Sequence, residues 1–200
     1  PTREHELNAS FATVQWVVVS YLLVVTSLML GVARLADMIG KRRIYLAGMV
    51  IFTIGSLLCG ISPTIGALIG FRAFQGLGAV MMQALGIAIV TEAFPPTERG
   101  RALGIVGTIV SLGISIGPTV GGVLIATAGW RWIFLVNLPV GILGFSLGRR
   151  YIPDWRPPGG QRFDMVGALL MFGTLVCLAL GLTLGPERGW SDPAIRALLI

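Results

Sequence analysis

A single arginine inside a long apolar run is the residue best placed to do chemistry in this sequence. Arg72 lies in LIGFRAFQGLGAV, Leu68–Val80, with Gln75 one helical turn away and Gly76 and Gly78 close by. A cation at this depth costs at least about 2.5–3.5 kcal/mol, so it should face a protein interior and find a partner. We expect Gln75 to share that polar pocket, and the two glycines to let another helix approach.

A buried arginine can couple proton movement to conformational change when its partner is a carboxylate that gains and loses a proton. No carboxylate lies in the middle of an apolar run in this sequence, so we expect that partner in a part of the protein beyond this chain. The alternative is that Arg72 extends to the outer membrane surface, since Pro63 lies only a few turns away.

A second candidate site is a basic turn that carries one carboxylate, RLADMIGKRR. An aspartate there can cap a helix N-terminus and pair with arginine, which predicts a latch that opens when the conformation changes. Glu92, at the end of a later apolar run, is a candidate partner for the arginines of this turn. The alternative is an ordinary basic loop and a solvated helix end. The candidate gating residues are Arg34, Asp37, Gly40, Lys41, Arg42 and Arg43.

A third feature is a glycine series with one proline inside an apolar run, GIVGTIVSLGISIGPTVGG. Proline kinks a helix, and glycines strip side chains from one face, so a neighbouring helix could slide or rock against it. This combination favours a transporter over a membrane anchor. The residues of the series are Gly104, Gly113, Gly117, Pro118, Gly121 and Gly122.

Composition places the chain in a membrane. Its residues are 54% hydrophobic and 12% charged, with a mean hydropathy of +0.84. The net charge of +6 does not indicate a nucleic-acid partner, because the arginines fall in short loops between apolar runs and form no single patch. The sequence has no Ser/His/Asp set, no CxxC and no phosphate-binding loop, so we expect neither an enzyme nor a metal or cofactor site.

The elements that position these residues are predicted to be membrane-spanning helices, which makes the fold all-α and polytopic. Each of the apolar runs is long enough to cross a bilayer at about 1.5 Å per residue. Asn137 and Pro139 interrupt the fifth run, where they line a cavity or kink the helix. The runs are roughly Phe11–Ala33, Ile44–Ile61, Thr64–Phe94, Ala102–Ala128, Trp132–Gly148 and Met165–Leu184.

The arginines also predict the orientation, because loops rich in arginine and lysine stay in the cytoplasm. The loops around residues 34–43, 99–101 and 149–162 carry most of them, which puts residues 1–10 outside. Both chain ends look cut, and one further span before Pro1 would explain the exported start. We expect Trp130, Trp132 and Trp190, at the ends of runs, to lie at the membrane interface.

The three constellations occur in the same order in the major facilitator superfamily, which this sequence resembles over nearly its whole length. The loop RLADMIGKRR resembles the signature between the second and third helices, and LIGFRAFQGLGAV the fourth-helix motif with its buried arginine. The glycine series is similar to the fifth-helix motif of antiporters. SFATVQWVVVSYLL, EAFPPTERGRALG and GWRWIFLVNLPVG resemble the fourteen-span drug–proton antiporter branch.

The resemblance implies a transporter bundle at residues 1–150 that lacks its first helix and a cytoplasmic linker at 151–163. Residues 164–200 would then hold an extra transmembrane helix and the start of the next. It assigns Asp37 and Arg42 to an inner gate, Arg72 to proton coupling, and the glycine series to the helix that governs alternating access. Two positions depart from the pattern. Ala33 stands where glycine is usual, and Met38 stands where a basic residue is usual.

The function implied is proton-coupled efflux of drugs or other amphipathic small molecules, from a multi-pass position in the cell membrane. The partners implied are lipid, protons and a small-molecule substrate. A periplasmic or membrane-fusion partner stays open, and the proton gradient needs no cofactor. One alternative is export of a metabolite made by the cell, such as an antibiotic or siderophore. Another is a membrane sensor or scaffold of the same fold, which a buried cation disfavours.

Overall fold

The computed structural model describes residues 11–154, 165–189 and 192–199, which are predominantly helical and contain no strand. The bounds of the helices are α1 Phe11–Ile39, α2 Lys41–Gly60, α3 Ile65–Ala93, α4 Arg99–Ala128, α5 Trp132–Leu135, α6 Asn137–Tyr151, α7 Met165–Arg188 and α8 Pro193–Leu199. The predicted all-α membrane fold is therefore confirmed.

Within the described residues, 5 helical stretches are long and apolar enough to cross a membrane, and they correspond in order to the first five of the predicted runs. The sixth predicted run lies in α7, whose apolar segment, Leu169–Gly185, is shorter than the others. Helix α6 ends at Tyr151, and most of the predicted linker, residues 155–163, lies outside the described residues. The predicted interfacial position of Trp190 also lies outside them.

Local chemistry explains where the helices begin and end. Gly40, with φ of 112°, allows a sharp turn between α1 and α2 that a side chain would oppose. Thr64 caps α3, because its hydroxyl accepts a hydrogen bond from the backbone N–H of Ala67 at 3.2 Å. The fifth predicted run divides at Val136 into α5 and α6. Pro139 accounts for this break, since it has no N–H to donate to the carbonyl one turn earlier.

Helix α3 is the centre of the bundle and packs mainly against α1 and α2. One core cluster joins these three helices and includes Val25, Ala36, Ile44, Val80 and Leu85. A second cluster lies at the opposite end of the bundle from the basic α1–α2 turn and consists of Val17, Cys59, Leu68, Trp130 and Phe134.

The interfacial prediction for Trp130 is wrong. Its side chain is only 2% exposed and packs edge-on against Phe134, with ring centroids 6.2 Å apart. Trp132, two residues later, is 50% exposed and is free to meet the membrane interface. A tryptophan at the end of an apolar run can therefore either pack in the core or face the interface, and the run alone does not distinguish the two.

Candidate functional site

Arg72 points into the bundle. Its Nε donates a hydrogen bond to the backbone carbonyl of Val17 at 3.2 Å, and its Nη1 donates to Oε1 of Gln75 at 2.8 Å. The guanidinium carbon lies 4.4 Å from the ring centroid of Tyr21 and 5.7 Å from that of Phe134. These contacts come from α1, α3 and α5, so the guanidinium joins three helices. Such contacts reduce the cost of holding a charge at this depth.

Gln75 connects Arg72 to α2 and is 1% exposed. Its Nε2 donates to Oγ of Ser56 at 2.6 Å, and the Sγ of Cys59 lies 4.0 Å from its Oε1. Arginine has only donors, so Gln75 must turn its oxygen towards Arg72 and its nitrogen towards Ser56. The buried amide is thereby oriented by partners on both sides.

Glycines bring α2 and α3 close enough for this contact. A Cβ at Gly55 would lie 2.8 Å from the Cα of Gln75. A Cβ at Gly78 would lie 2.6 Å from the carbonyl oxygen of Gly48, and one at Gly76 would lie 3.0 Å from that of Tyr21. Gly76 and Gly78 therefore permit the close helix approach that their sequence position predicts, on two sides of α3.

The predicted inner latch is present in part but with different partners. Glu92 pairs with Lys41, not with an arginine of the turn. Asp37 lies in the last turn of α1 and caps no helix N-terminus; its carboxylate is 3.6 Å from the ammonium of Lys41, one helical turn later. Among the described residues, Asp37 therefore pairs with Lys41 and not with the arginine that the sequence predicts. The side chain of Lys41, which is shorter than that of arginine, contacts the carboxylates of both Asp37 and Glu92. It thereby joins the α1–α2 turn to the end of α3.

Arg42 makes a separate connection to the end of α6. Its guanidinium donates to the backbone carbonyl of Arg149 and lies 4.0 Å from the carboxylate of Asp154. Within the described residues its buried Nε has no hydrogen-bond partner. Arg34 and Arg43 are exposed. Within the gating set, the structure thus brings the central residues into contacts between helices and leaves these two at the surface.

Ala33, which stands where the loop pattern usually has glycine, lies within α1 in helical conformation. This position therefore does not require a glycine. The residue with positive φ in this turn is Gly40, which is buried. Its N–H donates to the carbonyl of Ala36 at 2.9 Å, and its own carbonyl accepts from Ile44 at 3.3 Å. The turn is therefore hydrogen-bonded on both sides.

The glycine series lies on one helix, α4, which continues through Pro118 without a break. Among the described residues, no atom would come within 4 Å of a Cβ at Gly104, Gly113, Gly117, Gly121 or Gly122, apart from the helix's own backbone and chain neighbours. In the part of the chain that the structure describes, the glycines that pack closely against neighbouring helices lie on α2, α3 and α6 instead. The predicted role of the series in alternating access stays a prediction.

Sequence reasoning missed Tyr21, Ser56 and Phe134, which contact Arg72 or Gln75 from other helices. A partial signal existed for Ser56. On α2, Gly48, Gly55, Ser56 and Cys59 recur at helical spacing and form a face of small residues, as expected where a second helix approaches. No comparable pattern marks Tyr21 or Phe134, because apolar and aromatic residues surround both.

Comparison with known proteins shows which family the chain matches. Residues 1–198 match the Major Facilitator Superfamily. Riboflavin transporter RibZ of Clostridioides difficile (strain 630) is 40% identical over 185 residues, which cover 90% of this chain and 40% of that protein. Multidrug resistance protein Stp of Mycobacterium tuberculosis (strain CDC 1551 / Oshkosh) is 41% identical over 192 residues, 94% of this chain and 36% of that protein.

A third relative is the Tetracenomycin C resistance and export protein of Streptomyces glaucescens, 33% identical over 193 residues, with 96% of this chain and 36% of that protein covered. The chain thus spans 40% or less of the length of these relatives. The match over nearly all residues, together with the helical bundle and its inward arginine, leads to one conclusion: the chain belongs to the major facilitator superfamily of membrane transporters.

Proposed function

We propose that the complete protein exports drugs or other amphipathic small molecules across the cell membrane in exchange for protons. The observation that carries this proposal is the inward guanidinium of Arg72, which contacts α1, α3 and α5 at once. A carboxylate brought near this guanidinium would change its own protonation when the helices move. Proton binding would then favour one arrangement of the bundle, and substrate release would follow.

The end of the bundle that carries the α1–α2 turn, which we call the inner end, supplies a candidate gate for this cycle. Lys41 joins the α1–α2 turn to α3, while Arg42 joins α2 to the end of α6. The carboxylates of Asp37 and Glu92 are 46% and 39% exposed, so each ion pair contributes at most about 1 kcal/mol. Contacts this weak can hold one conformation and still break during each transport cycle.

Dye efflux from vesicles tests the proposal. The full-length protein should expel a cationic dye when a proton gradient is imposed, and a protonophore should stop the efflux. Arg72→Ala should abolish gradient-driven efflux while the protein still inserts into the membrane. Arg101→Ala is the matched control, because Arg101 is an exposed arginine in the first turn of α4 and should be dispensable. Efflux that persists without a gradient, or in Arg72→Ala, would refute proton coupling through this residue.

A second candidate is export of a metabolite made by the same cell. The names of two relatives support it, since one is named for export of tetracenomycin C and another for transport of riboflavin. Tetracenomycin C and riboflavin are therefore the first compounds to test as substrates. Competition of dye efflux by a panel of such compounds distinguishes the candidates. A narrow response to one compound favours metabolite export, and a broad response favours drug efflux.

The same efflux assay separates both candidates from a sensor or scaffold. A scaffold would bind ligands without moving them across the bilayer, with or without a gradient. We also propose that the proton gradient is the sole energy source and that no cofactor is required. Purified protein in lipid vesicles should therefore transport without ATP, and a strict requirement for ATP or for a membrane-fusion partner would contradict this part of the proposal.

A further inference from the structure

The short helix α5 places an aromatic ring beside the guanidinium of Arg72. The guanidinium carbon is 4.4 Å from the ring centroid of Tyr21 on α1 and 5.7 Å from that of Phe134 on α5. Both distances are within the range of about 6 Å over which a ring face attracts a cation. Phe134 is only 6% exposed, so little water reaches its side of this contact.

The position of Phe134 is fixed by its neighbours. Trp130 packs against it at an interplanar angle of 88°, the edge-to-face arrangement that aromatic pairs prefer. Arg131 stacks on Trp130, with its guanidinium carbon 4.6 Å from the ring centroid, and donates to the carbonyl of Ser62 at 3.3 Å. The segment that leads into α5, which carries Phe134, is thus attached to the α2–α3 loop.

The chain path joins this aromatic pair directly to α4. Helix α4 ends at Ala128, and Gly129, with φ of 90°, turns the chain so that Trp130 enters the core. The backbone N–H of Gly129 still donates to the carbonyl of Ile125 at 3.2 Å, so the turn is continuous with the helix. A displacement of the end of α4 would therefore move the ring that faces Arg72.

We propose that Phe134 is a positioning residue for Arg72, which holds the guanidinium between its own ring and that of Tyr21 and joins it to the end of α4. This inference rests on the proposed proton coupling through Arg72. It assigns a role to a residue that makes no hydrogen bond through its side chain. The role depends on the electrons of the ring and not on the volume of the side chain, which makes it testable.

The experiment measures gradient-driven efflux by the full-length protein with fluorinated phenylalanines at position 134. Successive fluorination weakens the negative ring face while the ring keeps nearly the same shape, so a purely structural role would not respond. We expect the logarithm of the efflux rate to fall stepwise with the number of fluorines. The efflux rate of Phe134→Leu should be about tenfold lower, as expected for the loss of a partly desolvated cation–π contact. Trp132→Leu, an exposed neighbour on the same helix, should change little.

The thiol of Cys59 reports whether each variant is packed correctly. Cys59 is fully buried in the same cluster as Trp130 and Phe134. In a protein whose other cysteines are replaced by serine, a membrane-impermeant maleimide should leave it unlabelled in every fluorinated variant. If Phe134→Leu makes Cys59 accessible to the maleimide, that variant is misfolded. The fluorinated series alone then tests the role of Phe134.

The outcomes separate this inference from the proposed function. A graded fluorine response together with loss of efflux in Arg72→Ala supports both. A flat fluorine series together with inactive Arg72→Ala overturns the role of Phe134 and leaves proton coupling in place. Full activity of Arg72→Ala overturns both.

Discussion

Replacing Ser56 by alanine removes the hydroxyl that orients Gln75. The Oγ of Ser56 accepts from Nε2 of Gln75 at 2.6 Å, and the two residues are 0% and 1% exposed. No water can replace the lost acceptor without opening the α2–α3 interface. In Ser56→Ala the amide nitrogen therefore stays buried without this partner, or the amide rotates and turns its donors towards Arg72.

The magnitude follows from the geometry. Leaving a buried neutral donor unsatisfied costs about 1–3 kcal/mol, and rotation would replace an attractive contact with the guanidinium by a repulsive one. Gln75→Leu removes the amide altogether, so the loss of Ser56 should matter little in that background. We expect the two substitutions to be non-additive by about 0.5–3 kcal/mol. Gradient-driven efflux should fall in Ser56→Ala because the acceptor for Arg72 is no longer fixed.

The assay is the free energy of unfolding of the purified protein in mixed micelles, measured for both single variants and for the double variant. Ser62→Ala is the matched control. Ser62 is also 0% exposed, but its hydroxyl donates to the carbonyl of Cys59, which already accepts a hydrogen bond from the backbone N–H of Ser62. Its removal should cost less than that of Ser56. Additive effects of Ser56→Ala and Gln75→Leu would refute the proposed orientation of the amide.

Three further changes test the packing and the inner end. Gly78→Ala should lower the free energy of unfolding by about 1–3 kcal/mol, because the added Cβ would meet the backbone of α2. Gly86→Ala, on the same helix, is the control because its Cβ would enter open space, and equal losses in the two variants would contradict this packing. Gly40→Ala should cost about 1–3 kcal/mol because φ there is 112°, and an unchanged stability would show that the turn relaxes. Lys41→Met removes both of its ion pairs and should lower stability by at most about 2 kcal/mol yet change the efflux rate, and an unchanged rate would exclude the Lys41–Glu92 pair from gating.

Local sequence patterns predicted the helices and the inward direction of Arg72, because length, apolar content and the cost of a charge in lipid are properties of single segments. Gln75 was predicted for the same reason, since it lies one turn from Arg72 on the same helix. The partners of this pair were not predicted. Ser56 and Phe134 reach it through the register between helices, which no single segment encodes.

The ion pairs at the inner end also depend on contacts between helices, which a single segment does not encode. The basic turn predicted a latch, but side-chain length and the place where α1 ends decide which cation meets which carboxylate. Asp37 falls within α1 and not at the start of α2, so it pairs with Lys41 and caps nothing. Trp130 was placed at the interface because it follows a run, whereas the turn at Gly129 directs it into the core.

Proton release on substrate binding tests the central claim most directly. Purified full-length protein in weakly buffered detergent solution should release protons when substrate is added, and a pH-sensitive dye would measure how many. We predict that Arg72→Ala binds substrate but releases none, because the field that changes the protonation of the partner carboxylate is gone. Equal proton release from Arg72→Ala and the unsubstituted protein would contradict the account.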